Sequence, residues 1–249
     1  MRIGIVKHLN ARPLTYGFEK VGKHDLVYEN PSVLKDLLLS GKLDTALISS
    51  VECIRNEATL SYSTACGVCA KEKVRSILFF KNKKETFPPE EIHTDAGSRS
   101  SVALLQTLLK KQTNRLISVS PTDPGQILEK IHMGKDSHLL FGDNALLAKW
   151  DSRVYEVTDL AEWWNFETGL SFVFAFWAFP KIQTFSDSFF LDSLEYGLSN
   201  IEEIISSEKR FSVEMLNSYL KNELHYRITV DDLSGFELFK KYCIDWKIL

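Results

Sequence analysis

Long apolar runs are missing from this 249-residue sequence. The most apolar segment, Leu170 to Phe179, is too short to span a bilayer as a helix. The start does not combine a basic stretch, an extended apolar stretch and a small-residue cleavage site. Met1-Arg2-Ile3-Gly4-Ile5-Val6 instead reads at once as a strand. These absences predict no membrane partner and a cytoplasmic location. An excess of one charge is also missing. Thirty Lys and Arg stand against 33 Asp and Glu, for a net charge of -3. A nucleic-acid partner needs a clustered basic face, and none is legible. An anionic ligand must then be held by local charges and dipoles.

Cysteine is scarce. Cys53, Cys66, Cys69 and Cys243 are the only four. Cys66-Gly67-Val68-Cys69 has C-x-x-C spacing, but no second pair or neighbouring His cluster completes a zinc set. The pair also sits in a strand-like stretch rather than at a helix start, which argues against a redox pair. Structural cysteines are expected. The histidines His8, His24, His93, His132, His138 and His225 lack H-E-x-x-H spacing. G-x-G-x-x-G, G-x-x-x-x-G-K-[ST] and G-x-S-x-G are absent too. Nucleotide cofactors and serine-hydrolase chemistry lose their usual support, and no metal or cofactor is expected.

What is present is an ordinary globular composition, 44% hydrophobic and 25% charged, with a strand-helix alternation. Ile3 to Val6, Leu26 to Tyr28 and Asp44 to Ile48 read as strands. A helix follows Pro13, and another starts at Asn30-Pro31 and closes at Gly41. Two extended runs follow Ser61, the second being Val74 to Phe80. The polar stretch Lys81 to Pro89 then reads as a domain boundary. Beyond it the alternation restarts: strand Glu91 to Thr94, helix Ser98 to Lys111, strand Leu116 to Val119, helix Pro124 to Met133, strand His138 to Phe141. The aromatic and β-branched run Leu170 to Phe179 reads as a buried strand returning to the first domain. Helices are expected to start near Ser186, Ser212 and Val230. Residues 1–84 and 180–249 are thus expected to form a discontinuous first α/β lobe with C-terminal helices, and 85–179 an inserted second α/β lobe. The fold class is α/β, a two-lobed clamshell with a hinged inter-domain cleft.

Ligands in such sheets sit beyond the carboxyl ends of strands. Four segments qualify. Gly97-Ser98-Arg99-Ser100-Ser101 offers hydroxyls and free N–H groups at a helix start, an anion site, although a plain serine cap explains one hydroxyl. Ser49 and Ser50 end the third strand. Gly142 and Asp143 follow His138 to Phe141, and Asp143 reads most simply as a helix cap. Asn10 and Arg12 follow the first strand. Arg12 and Arg99 could each fork onto a carboxylate. Asn10 can orient a polar group, and His8 is a weaker candidate acid or base. Trp163, Trp164 and Trp177 are expected to pack in the core or hinge.

Five segments in order resemble the chorismate dehydratases of the futalosine route to menaquinone. Leu9-Asn10-Ala11-Arg12-Pro13-Leu14 is similar to their "N-A-x-P-L". Asp44 through Glu52 is similar to "D-x-A-L-I-P-S-x-E", with Ser49 in place of the proline. Ser98 through Leu105 is similar to "S-R-T-S-V-x-L-L", with Ser100 for threonine. Gly142-Asp143-Asn144-Ala145-Leu146 is similar to "G-D-x-A-L". Trp164 and Thr168 through Trp177 are similar to "W-x-x-x-T-G-L-P-F-V-F-A-x-W", with Ser171 for proline. The resemblance implies a type 2 periplasmic-binding-protein-like fold and cofactor-free dehydration of chorismate, a dicarboxylate. With that reaction in view, Asn10 and Ser100 are assigned as catalytic and Arg12, Ser49, Ser50, Ser98, Arg99, Ser101, Gly142 and Asp143 as substrate-binding, and a monomer or homodimer is expected. Two alternatives share the clamshell: a non-catalytic binding protein for a small anion, and the related 1,4-dihydroxy-6-naphthoate synthase.

Overall fold

The computed structural model describes residues 1–95 and 97–249. In chain order it has β1 (Arg2–Ile5), a 3-10 turn (Leu9–Ala11), α1 (Arg12–Val21), β2 (Asp25–Tyr28), α2 (Pro31–Leu39), β3 (Thr45–Ser49), α3 (Ser50–Arg55), β4 (Leu60–Ala70) and β5 (Ile77–Asn82). There follow β6 (Glu91–Asp95), α4 (Arg99–Thr113), β7 (Ser118–Thr122), α5 (Pro124–Met133), β8 (His138–Phe141), α6 (Gly142–Leu147), β9 (Tyr155–Asp159), α7 (Leu160–Thr168) and β10 (Phe172–Pro180). The tail is α8 (Asp187–Ser199), α9 (Ile201–Ser207), α10 (Val213–Ser218), a π-helical turn (Tyr219–Glu223), β11 (His225–Arg227) and α11 (Val230–Asp245).

Local chemistry explains many of these ends. Pro31 and Pro124 open α2 and α5, where a missing N–H costs nothing. The Asp123 side chain accepts from Gly125 and Gln126 N–H at the start of α5. Gly134 ends that helix at φ 69°, a conformation that disfavours a side chain.

The strands form two sheets. The first has the order β11-β4-β10-β3-β1-β2 and the second β7-β6-β8-β5-β9. β1 runs parallel to β2 and β3, and β6 runs parallel to β7 and β8. These are the strand-helix-strand units expected from the alternation. β10 lies antiparallel between β3 and β4 in the first sheet, buried along nearly its whole length. Its aromatic composition suits that place, since a strand covered on both faces needs no polar alternation.

The lobe division differs from the one expected at 84/85 and 179/180. β5 belongs to the second sheet, against β8 and β9, and β10 belongs to the first. The chain therefore crosses before Ile77 and again before Phe172. The polar run Lys81 to Pro89 is a loop within the second lobe. Asn82 ties it down: its N–H donates to Ser137 Oγ at 3.0 Å and its Nδ2 to Gly134 O at 3.0 Å. The first crossing is held by Asp159. Its Oδ2 accepts from Val74 N at 2.9 Å and Arg75 N at 2.6 Å, while Oδ1 caps α7. The strand expected at Leu116 to Val119 starts later, at Ser118.

Trp164 and Trp177 are fully buried, as expected of core or hinge residues, and Trp164 Nε1 donates to Ser171 O at 3.1 Å. All four cysteines are buried and free. Among the described residues no helix is long and apolar enough to cross a membrane.

Candidate active site

The carboxyl ends of β1 and β3 face those of β6 and β8 across the gap between lobes. The space between them is a narrow cavity of about 70 Å³. Its walls include His8, Asn10, Ser49, Glu52, Gly97 to Ser101, Phe141 and Gly142, with Val6, Val68, Phe174 and Ala175 as an apolar floor.

Two helix starts meet there. Ser49 ends β3 and caps α3, its Oγ accepting from Glu52 N at 3.4 Å. Ser98 caps α4 in the same way, accepting from Ser101 N at 3.2 Å and donating to Ser101 Oγ at 2.7 Å. The capping explanation of Ser98 therefore holds. Ser100 does something else. Its Oγ lies 3.2 Å from Ser50 Oγ and accepts from Val51 N at 3.2 Å. Ser50 and Ser100 are both buried, so the start of α4 in one lobe is hydrogen-bonded to the start of α3 in the other. First-turn N–H groups have no acceptor inside their own helix, which leaves this junction polar and partly positive.

Charged groups close the same seam. Arg99 Nη1 donates to Glu52 Oε1 at 2.7 Å across the lobes, and Glu52 is almost completely buried. Asn56 Nδ2 donates to the other Glu52 oxygen at 3.3 Å. Arg99 thus lines the cleft but is held by a protein carboxylate. Arg12 is not brought to the cleft. Its Nη1 donates to both Glu19 oxygens, at 2.6 and 2.8 Å, and its guanidinium lies over the Tyr16 ring. Arg12 opens α1, and Glu19 is two turns further along that helix, so the pairing is local. Asp143 does not cap α6, whose N-cap is Phe141. It accepts from Leu9 N at 3.4 Å and pairs with Arg210 Nη1 at 2.7 Å. It bridges lobes at the rim and does not line the cavity.

Gly142 has φ 61°, and a β-carbon there would stand 3.4 Å from His8 Nδ1. The close approach leaves His8 at the wall with its ring edge against Phe141. Burial pushes the His8 pKa below its ordinary value, opposed by Asp143 and Asp95, so the imidazole is neutral near pH 7. Burial pushes Asp95 the other way, upward, despite hydrogen bonds from Gly97 N and Asn144. Asn10 lines the cavity, and its amide makes no hydrogen bond within the described residues. It is one polar side chain on the wall open to a ligand.

Of the residues singled out in the sequence, Asn10, Ser49, Ser98, Arg99, Ser100, Ser101 and Gly142 line the cleft, and Ser50 lies behind it, bonded to Ser100. Sequence reasoning gave no role to Glu52, although that residue ends the second motif, nor to Phe141, just ahead of Gly142. Arg210 has no local signal, because its partner lies far back in the chain.

A model of a family described as menaquinone biosynthesis matches residues 1–245. A chorismate dehydratase of Thermus thermophilus is 27% identical, covering 95% of this chain and 93% of its own. A chorismate dehydratase of Campylobacter jejuni is 24% identical, covering 98% of this chain and 97% of its own. Among solved structures, a protein of Archaeoglobus fulgidus superposes with a TM-score of 0.79 at 12% identity, over 100% of this chain and 98% of the other. The periplasmic aliphatic sulphonate binding protein of Escherichia coli does so with 0.66 at 14% identity, over 100% and 92%. At such identities these two show the fold, the periplasmic-binding-protein clamshell.

Proposed function

The chain belongs to the menaquinone-biosynthesis family, and on that premise we propose that it acts as a chorismate dehydratase, converting chorismate to 3-[(1-carboxyvinyl)oxy]benzoate and water. The observation that carries the reading is the meeting of Ser50 and Ser100 at 3.2 Å at the cavity that the Asn10 amide also lines. Two helix starts with their hydroxyls, from opposite lobes, suit a substrate with two carboxylates. Ser98, Ser100 and Ser101 take one carboxylate. Ser49 and Ser50 take the other, or the departing hydroxyl. The Ser50–Ser100 bond is exchanged for bonds to the ligand.

The chemistry asks little of the protein. The C–H bond at the ring carbon bearing the enolpyruvyl ether breaks, and its electron pair becomes a ring double bond. The C–O bond to the neighbouring hydroxyl breaks, and proton and hydroxide leave as water. The ring carboxylate acidifies that hydrogen by conjugation, and aromatisation drives the step. Glu52 is the one carboxylate among the described cleft residues, and Arg99 engages it. The substrate's own side-chain carboxylate takes the proton, with Asn10 fixing its pose. Neutral His8 suits this role, because a cation there would pair with that carboxylate and weaken it as a base. The closed seam excludes water.

The test mixes purified protein with chorismate and follows the aromatic product by absorbance and mass. The expected outcome is turnover, falling about 100-fold in Asn10→Ala with the fold unchanged, as expected for loss of a positioning contact. Reversible binding without product by a folded sample overturns the enzymatic reading in favour of a binding protein.

A further inference from the structure

The C-x-x-C pair lacks zinc partners nearby in sequence, but the fold supplies some from far along the chain. His225 on β11 pairs with Cys69 on β4 in the first sheet. Asp232 enters from the first turn of α11. One ligand atom each of Cys69, His225 and Asp232 lies within 4.8 Å of the others. Cys66 is not among them, as expected of a residue at odd spacing along a strand.

We propose that Cys69, His225 and Asp232 bind one zinc-class divalent cation, at a site separate from the cleft. Three features support this. First, thiolate, imidazole and carboxylate together match the donors zinc takes, and they arrive from three different elements. Second, Asp232 is already aimed. Its Oδ2 accepts from Thr229 N at 2.8 Å and from Thr229 Oγ1 at 2.6 Å, leaving Oδ1 toward His225 Nε2 at 2.8 Å. The capping box of α11 therefore doubles as the outer support that metal-binding carboxylates need. Third, Cys69 and Asp232 are fully buried, while the His225 side chain is 35% exposed and opens a way in from solvent.

Donor atoms on a zinc tetrahedron stand about 3.3–3.8 Å apart, from bond lengths near 2.0–2.3 Å. Binding therefore opens the His225–Asp232 contact by less than an ångström and draws the sulfur inward. Water takes the fourth position. The ion would clamp the short edge strand β11 to both β4 and α11.

The experiment uses the full chain, stripped with chelator and titrated with Co²⁺ as an optical stand-in for Zn²⁺. Expected are one equivalent bound, a thiolate-to-cobalt charge-transfer band in the near ultraviolet, and visible bands of tetrahedral intensity. Zn²⁺ should bleach them and raise the melting temperature. Cys69→Ser and His225→Ala should each weaken binding at least 100-fold. Cys66→Ser should leave it intact. Cys69 lies outside the cleft wall, so chorismate turnover by Cys69→Ser reports whether that variant is folded. The proposal is overturned by the absence of a charge-transfer band in wild type. It is equally overturned by bands that persist in folded Cys69→Ser, since the metal would then sit elsewhere.

Discussion

His138 sits fully buried on β8 with its ring stacked on His93. Its Nε2 is 2.6 Å from Lys135 O, so that nitrogen carries the proton, and Nδ1 has no partner. Burial lowers its pKa from 6.5 to about 4, with the nearby His93 and Lys130 adding and Asp136 and the Lys135 carbonyl opposing. The unfolded chain protonates this histidine near 6.5, the native chain only near 4. Stability therefore falls as pH drops through 6.5 and levels off below 4, by about 3 kcal/mol in order of magnitude. Urea unfolding from pH 7 to 4 should show His138→Phe less stable than wild type at pH 7, through the lost Lys135 bond. Its decline toward pH 4 should be shallower. Parallel curves for the two proteins would remove His138 as the source. At this scale the sequence was informative only where position fixed the contact. Ser98 and Ser100 follow a strand end, so both reach the cleft. Arg12 met the same criterion, yet Glu19 on its own helix takes the guanidinium. Charge partners depend on the side chain's direction, which position along a strand end does not specify.

Helices α1 and α8 touch through small residues. A β-carbon on Gly197 would stand 2.0 Å from Pro13 O, and one on Gly17 would stand 2.6 Å from Ser193 Cα. Both obstacles are backbone, so neither can rotate away. Ser193 Oγ strengthens the contact by donating to Leu14 O at 2.8 Å and accepting from Phe18 N at 3.2 Å. Gly197→Ala must push α8 off α1, and the turn bearing Asn10 is joined directly to α1. Overpacking of this kind costs about 1–3 kcal/mol. Denaturant melts should register that loss, and kcat should drop by roughly tenfold or more because a small displacement misplaces the site. Wild-type stability and rate in Gly197→Ala would show that the helices part without moving Asn10. Elements were the most legible scale. Periodicity and caps located α2, α4 and α5, and aromatic content located β10. The misassigned lobe boundary has a physical reason: a polar, proline-ended run looks the same as an interdomain linker or as an ordinary loop. Strand pairing decides between them, and pairing partners such as β5 and β8 are far apart in sequence.

The whole molecule is drawn closed by contacts that sequence order does not announce. Ser50–Ser100 and Glu52–Arg99 hold the seam beside the cavity. At the rim, Asp143 of the second lobe takes Leu9 N and Arg210, and Arg210 lies between α9 and α10, on the tail that packs against the first lobe. Glu208 also holds Arg210, orienting it toward Asp143. Arg210 is not on the cavity wall, so its contribution is to the closed population rather than to bound substrate. A half-exposed ion pair of this kind is worth at most about 1 kcal/mol, less in salt. A shift of that size in the closing equilibrium changes apparent affinity by the fraction of closed molecules lost. Arg210→Ala should therefore raise KM for chorismate about two- to fivefold at low ionic strength, with kcat nearly unchanged. The difference should shrink as salt rises. Small-angle scattering of the ligand-free variant should give a larger radius of gyration than wild type, and saturating ligand should erase the gap. Arg153→Ala provides the control, since Arg153 pairs with Asp151 two residues away and spans no lobe boundary. If Arg210→Ala and Arg153→Ala behave alike in both measurements, the rim pair does not bias closure. A fall in kcat with KM unchanged would instead place Arg210 within reach of the reacting substrate.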